Sequence, residues 1–531
     1  MKKALILGLD GATFTILDRL MADGVMPFLR DFIAGGVRAN LRTIVPALTP
    51  PAWTSLRTGV NPGKHGIFDF FRKAAPDSYH IEMLTGKDIS ADTLDQYVNQ
   101  NGLTATVLNF PVTFPAPPIN GYLIPGWMPW KQLRFACQPA DLYNRLKEAI
   151  PNFNPRELAM DMKQEEKAIE GTATDEYKNW IDVHIRKDQQ WLQILRLLHA
   201  TDPSDLTTIM FDGTDKLQHL LWRYLDPTCF TSEPDAFELE LRDYVLRYYR
   251  ALDQVVEQIV GMAGPEATVV IASDHGFGKQ ESTFFVNTWL ERLGLLTWSK
   301  EAPAESEQAI LGIGQLARHV YLLDWDKTKA YAPTPSANGI HIVQQNATTP
   351  HGVPAADYAA FRDFLIAALK AVRDPVTGGQ LVTEIWKREE IFAGPYLELA
   401  PDLTVVLRDG GLISILASDE ITKPRAAVSG THHPLGIFVA QGPGLRRGLV
   451  LDELSILDVA PLIAYGSGLP IPAHYDGHLP EAGFDPAFLA AHPPQTVQTA
   501  STAARLDEGL ALDEESELAI MEQLAKLGYV E

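Results

Sequence analysis

The chain has 531 residues, enough for one large α/β body or several ordinary domains, so folding requires neither a disulfide framework nor a structural metal. Its 45 Lys and Arg against 67 Asp and Glu leave a formal charge of -22, which argues against a surface that grips nucleic-acid polymers or anionic lipid by charge alone. With 46% hydrophobic and 21% charged residues the composition is globular, no apolar run is long enough for a membrane span, and Cys137 and Cys229 lack zinc or disulfide spacing. A reducing, cytoplasmic setting is expected.

The first apolar stretch, residues 4–9, is cut by Asp10-Gly11 and reads as a buried strand rather than a signal peptide. Residues 103–109, 206–211, 268–272 and 403–407 read the same way and alternate with amphipathic stretches. The pattern predicts an α/β fold with a mostly parallel central sheet and helices on both faces. Residues 291–400 change texture and are expected to form an inserted mixed α+β cap, which divides the core into 1–290 and 401–490. Residues 491–531 read as a linker followed by a helical tail on which Leu518, Ile520, Met521 and Leu524 can share an apolar face.

Several strand-like runs finish on polar residues, namely Asp10, Asn109, Asp212 and the pair Asp274-His275, where open α/β sheets place ligands. Thr49 precedes Pro50 and Pro51 at what reads as a helix opening, with its hydroxyl expected to face the surface; a threonine there is ordinarily only a cap. In FDGTDKLQHLLW, Asp215 and His219 stand four apart on one helical face and can clamp one ion, while Asp212 falls outside that register. His432 and His433 lie in a glycine-bounded stretch, SGTHHPLG. Each feature alone has an ordinary explanation as a turn, cap or surface pair. Together they supply carboxylates, imidazoles and a hydroxyl, a set suited to zinc or manganese and large enough for two ions. Lys64, His65, Asn109 and Trp53 are weaker candidates for a substrate pocket.

Thr49 stands ten residues before Gly59 of a Thr-Gly pair, NPGKHGI continues the run, and the Asp215/His219, SDHG and GTH elements follow in order. With these motifs the chain resembles the alkaline phosphatase superfamily, and within it the type I phosphodiesterase and nucleotide pyrophosphatase group. The resemblance implies two divalent metal ions, zinc preferred and manganese second. It assigns one to Asp215, His219 and His432 and the other to Asp10, Thr49, Asp274 and His275. It further implies Thr49 as the nucleophile of a covalent phosphothreonine mechanism acting on a small phosphorylated or nucleotide-like substrate.

Two departures stand out. Pro50-Pro51-Ala52 replaces the Phe-Pro-Asn of ecto-type members, removing an asparagine that helps hold the phosphoryl oxygen, and Thr431-His432-His433-Pro434 resembles a branch of intracellular relatives. His432 is preferred as the ligand because it follows Gly430-Thr431, with His433 as the alternative. A sulfatase reading fails because Thr49 and Trp53 stand where a Cys or Ser and an Arg are required. A phosphomutase or phosphomonoesterase of the same superfamily is the rival activity, and a non-catalytic metal-binding relative the distant one.

Overall fold

The computed structural model describes residues 3–75, 78–79, 81–158, 174–230, 233–299 and 322–499. The expected apolar helix at 513–527 lies outside the described residues. The centre is an eight-stranded sheet built from β1 (Ala4–Leu9), β2 (Val37–Arg42), β3 (Ala105–Leu108), β4 (Gly121–Ile124), β5 (Leu206–Phe211), β6 (Thr268–Ala272), β7 (Leu435–Gln441) and β8 (Leu449–Ser455). The spatial order is β8-β2-β7-β6-β1-β5-β3-β4, and β7 alone runs against its neighbours. The α/β class with a mostly parallel sheet is therefore present.

Every residue of β1 is buried, because the strand lies mid-sheet with helices on both faces. Its alternation divides it between two cores. Ala4 and Ile6 join the one that contains α1 (Thr49–Thr58) through Trp53 and Leu56. Leu5, Leu7 and Leu9 join the other, packed by α2 (Thr174–Thr201), α3 (Gly213–Leu225) and α4 (Ala236–Ala263).

The strand at Leu403–Leu407 forms, but outside the parallel sheet where its apolar run had suggested it belongs. It pairs antiparallel with Gly339–Ile342 and Val382–Lys387 in a separate four-stranded sheet. Uniform burial does not distinguish a strand of a parallel core from one covered on both faces in an antiparallel sheet. The expected boundary at 400 consequently falls inside that smaller sheet. Residues 495–499, expected as linker, are pinned: Thr496–Val497 pairs with Ile471–Pro472, and Thr499 Oγ1 lies 3.0 Å from His474 Nδ1. Among the described residues no helix is long and apolar enough to cross a membrane.

Candidate active site

The carboxyl ends of β1, β5 and β6 deliver Asp10, Asp212 and Asp274 to one edge of the sheet, all buried. Asp274-His275 then enters a long strand, Gly276–Phe285, which pairs antiparallel with Thr422–His433 so that His432 lies opposite Phe277. That pairing carries His432 across more than 150 residues of chain until its ring stacks on His275 at 3.6 Å between centroids.

Two groups of ligand-type atoms result, each gathered within 4.8 Å: Asp215, His219 and His432, and Asp10, Asp274 and His275. In the first, His432 Nε2 lies 3.2 Å from Asp215 Oδ1 and 3.1 Å from His219 Nε2. In the second, His275 Nε2 lies 3.2 Å from Asp274 Oδ2 and 3.7 Å from Asp10 Oδ1. Thr49 joins this second group, with Oγ1 3.2 Å from His275 Nε2.

The tautomers follow from the backbone. His432 Nδ1 lies 2.8 Å from Ala47 O and His275 Nδ1 lies 3.0 Å from Gly276 O, so each Nδ1 carries the proton. Each Nε2 is left a lone pair aimed inward. Asp10 Oδ1 and Asp274 Oδ2 are buried without a hydrogen-bond partner. Burial, then the neighbouring Asp274, pushes the Asp10 carboxyl well above its ordinary value; burial pushes Asp274 up to about 7 despite the Gly11 N–H it accepts. Burial holds the His275 imidazole well below its usual value. Burial works against the Asp215 charge too, but the combined pull of His219 and His432 keeps its carboxyl below the ordinary range. Acceptor atoms crowded together at this depth fit divalent cations, which supply the positive charge that makes such a cluster tolerable.

Sequence reasoning overlooked the residues that hold this edge together. Thr214 Oγ1 donates to Asp10 O at 2.5 Å and Gln218 Nε2 to Gly11 O at 2.8 Å, tying α3 to the end of β1. The signal was available: Thr214 and Gln218 repeat the four-residue spacing of Asp215 and His219 one position earlier. Gly11 adopts φ +63, which turns its N–H onto Asp274 Oδ1 at 3.1 Å. Asp212, the competing ligand, instead accepts from Lys187 at 2.8 Å and lies 3.5 Å from Lys216.

The remaining candidates divide. Trp53 Nε1 donates to Asp10 Oδ2 at 3.3 Å, reaching over β1 where only a glycine leaves room: a Cβ on Gly8 would lie 2.6 Å from the indole. Asn109 Nδ2 donates to Met210 O at 2.8 Å, bracing β3 against β5. His433 is half-buried and accepts from Leu435 N, outside both ligand groups. Thr49, expected at the surface, is fully buried as the first residue of α1.

Lys64 and His65 each make contacts within the protein. Lys64 is tied to Asp476 Oδ1 at 2.5 Å and to His474 O at 3.2 Å, its charge consumed in anchoring the 62–65 turn. His65 is buried, accepts from Ile67 N at 3.1 Å and so donates from Nε2 to Ser55 Oγ at 2.9 Å. Burial pushes its imidazole down to about 3. Because the folded value lies below the unfolded one near 6.5, this group's contribution is complete above 6.5 and is lost as pH falls towards 3, at about 1.4 kcal/mol per pH unit. Between pH 7 and pH 5 the wild type should therefore lose about 2 kcal/mol more unfolding free energy than His65→Asn in denaturant titrations. Equal losses would show that His65 does not set the acid limb.

A family model described as type I phosphodiesterase / nucleotide pyrophosphatase matches residues 4–434. No curated protein matches the chain. Among solved structures, murine ectonucleotide pyrophosphatase / phosphodiesterase 5 is similar at 14% identity, with 91% of this chain and 100% of that one covered at a TM-score of 0.49. Phosphonoacetate hydrolase from Sinorhizobium meliloti 1021, in complex with phosphonoacetate, is similar at 16% identity, with 88% and 95% covered at a TM-score of 0.49. On the extent of the family match, the chain belongs to the type I phosphodiesterase / nucleotide pyrophosphatase family and is a metal-dependent hydrolase of phosphoester bonds.

Proposed function

We propose that the protein is a phosphodiesterase that uses Thr49 as its nucleophile at a site for two divalent cations, zinc in preference to manganese. The observation that carries this reading is the convergence of the Thr49 hydroxyl on His275 at 3.2 Å beside two adjoining three-ligand groups. Asp215, His219 and His432 would hold one cation; Asp10, Asp274, His275 and Thr49 would hold the other. When bound, the cations act as Lewis acids that make the threonine oxygen a competent nucleophile near neutral pH and offset charge on the departing oxygen.

The chain's own groups do the positioning. Thr49 opens α1 with its hydroxyl fixed by burial, so attack on phosphorus needs no search of rotamers. Its oxygen loses a proton to solvent and bonds to phosphorus while the opposite ester oxygen leaves and is reprotonated. Water then attacks the phosphothreonine, releasing the phosphorylated product and restoring the hydroxyl. Pro50 and Pro51 have no N–H, and the Ala52 N–H is taken by Leu48 O at 3.0 Å. Of the first four helical residues, only Thr49 retains a backbone donor outside the helix's own ladder. The phosphoryl group is thus held by charge more than by a backbone cradle.

Metal-stripped protein reloaded with zinc or manganese should hydrolyse an aryl phosphodiester faster than the matched monoester, and the chelated protein neither. Monoester preference would move the reading to a phosphomonoesterase. Isomerisation of a phosphosugar without phosphate release would move it to a mutase.

A further inference from the structure

Beside Pro50, the neighbour of Thr49, lies a pocket walled by Phe70, Met83, Phe114, Trp127 and Met128. No charged side chain is among the described residues that line it. A chain of contacts links it to the ligand cluster: Pro111, which lines it, follows Phe110, whose ring packs edge-on against Trp53 at 5.2 Å, and Trp53 donates to Asp10. Two of its walls are held in unusual backbone. Val112 has φ +52 and Trp127 φ +54, a region that costs bulky and β-branched residues free energy and persists only where the surroundings impose it. The strained turn at Trp127 lays its indole parallel to Phe70, with centroids 5.9 Å apart and planes 14° from parallel.

We infer that this pocket receives the ester group of the substrate, and that the group is an uncharged, mainly hydrocarbon alcohol rather than a nucleoside. The inference rests on the phosphodiesterase reading above and deepens it. The polar inventory of the pocket decides the chemistry. Thr85 Oγ1 donates to Asp88 Oδ2 at 2.8 Å and Thr113 Oγ1 donates to Phe110 O at 2.6 Å, so both hydroxyl protons are committed within the protein. Among the side chains of the described lining residues, the Trp127 Nε1–H is buried without a partner and is the donor left for an occupant. A nucleobase presents several donors and acceptors on its edge, and burying them against Phe, Met and Trp without partners costs more than stacking returns. An alkyl or simple aryl group carries no such cost and gains from each methylene it buries.

The test is calorimetric binding of methyl-, butyl- and octylphosphonate and of adenosine monophosphate to the zinc-loaded enzyme, its Trp127→Ala variant and its Met83→Lys variant. Met83 is half-buried on a short hairpin strand, Ile81–Met83, so the lysine variant keeps the experiment readable should the tryptophan variant fail to fold. In the wild type each methylene from methyl to butyl should tighten binding by about threefold to fourfold, with adenosine monophosphate no tighter than methylphosphonate. In both variants the gain per methylene should drop below about twofold. A flat series, or adenosine monophosphate binding more tightly than octylphosphonate, overturns the inference. Turnover of an aryl diester, measured alongside, separates the two claims: a flat series with intact turnover removes only the pocket's role. A steep series without turnover keeps the pocket and removes the hydrolytic reading.

Discussion

Thr49→Ala is expected to lower kcat on an aryl phosphodiester by at least about 1000-fold at saturating zinc, because in the proposed mechanism its oxygen forms the covalent bond to phosphorus. The fold should survive. The hydroxyl is buried but faces His275 Nε2 rather than a packed apolar surface, so its loss should cost about 1 kcal/mol and shift Tm by only a few degrees. Thr49→Ser is the matched control, since it keeps the oxygen and should retain measurable turnover. Retained full activity in Thr49→Ala would take the residue out of the mechanism, whereas loss accompanied by a collapse of Tm would mark it as structural.

The second expectation is an inversion of stability order. In chelator, Asp10→Asn should melt above the wild type by the equivalent of about 1–3 kcal/mol, because it removes a carboxyl whose ionisation burial and Asp274 disfavour while an amide oxygen can still accept from Trp53. In zinc at 1000 times its dissociation constant the wild type gains about 4 kcal/mol per site, and the variant forfeits most of that gain at the Asp10 site. The wild type should then melt higher. Thermal unfolding of both proteins in chelator and in zinc reads the inversion directly. An unchanged order in the two conditions would mean that Asp10 holds no cation, leaving the second ligand group without its anchor.

The contrast between Lys64 and Trp53 shows why a side chain's type is a poor guide to its use. A lysine in a Pro-Gly turn has the right charge to meet a phosphate oxygen, and Asp476, more than 400 residues along the chain, pairs with it. Trp53, a weaker pocket candidate in the sequence, has most of its ring in the core, while its single N–H meets Asp10. Neither partner is visible to a local reading, because each is fixed by how α1 sits on the sheet. The strand at Leu403–Leu407 carries the same lesson at the level of the fold: burial on both faces was correctly read, while the sheet to which it belongs was not.

Local pattern by itself determined the strands that end in Asp10, Asp212 and Asp274, the i, i+4 placement of Asp215 and His219 on one helix, and the ordered motifs that mark the family. These are short-range properties, set by backbone periodicity and by the few residue types that suit a strand end or a helix start. Only the tertiary structure set His432 beside Asp215 with His433 outside that group, drew Asp212 to Lys187, and buried Thr49 against His275. The reason is register. Along an extended strand successive side chains point to opposite faces, so the pairing of Thr422–His433 with Gly276–Phe285 turns one of two adjacent histidines onto Asp215 and the other away.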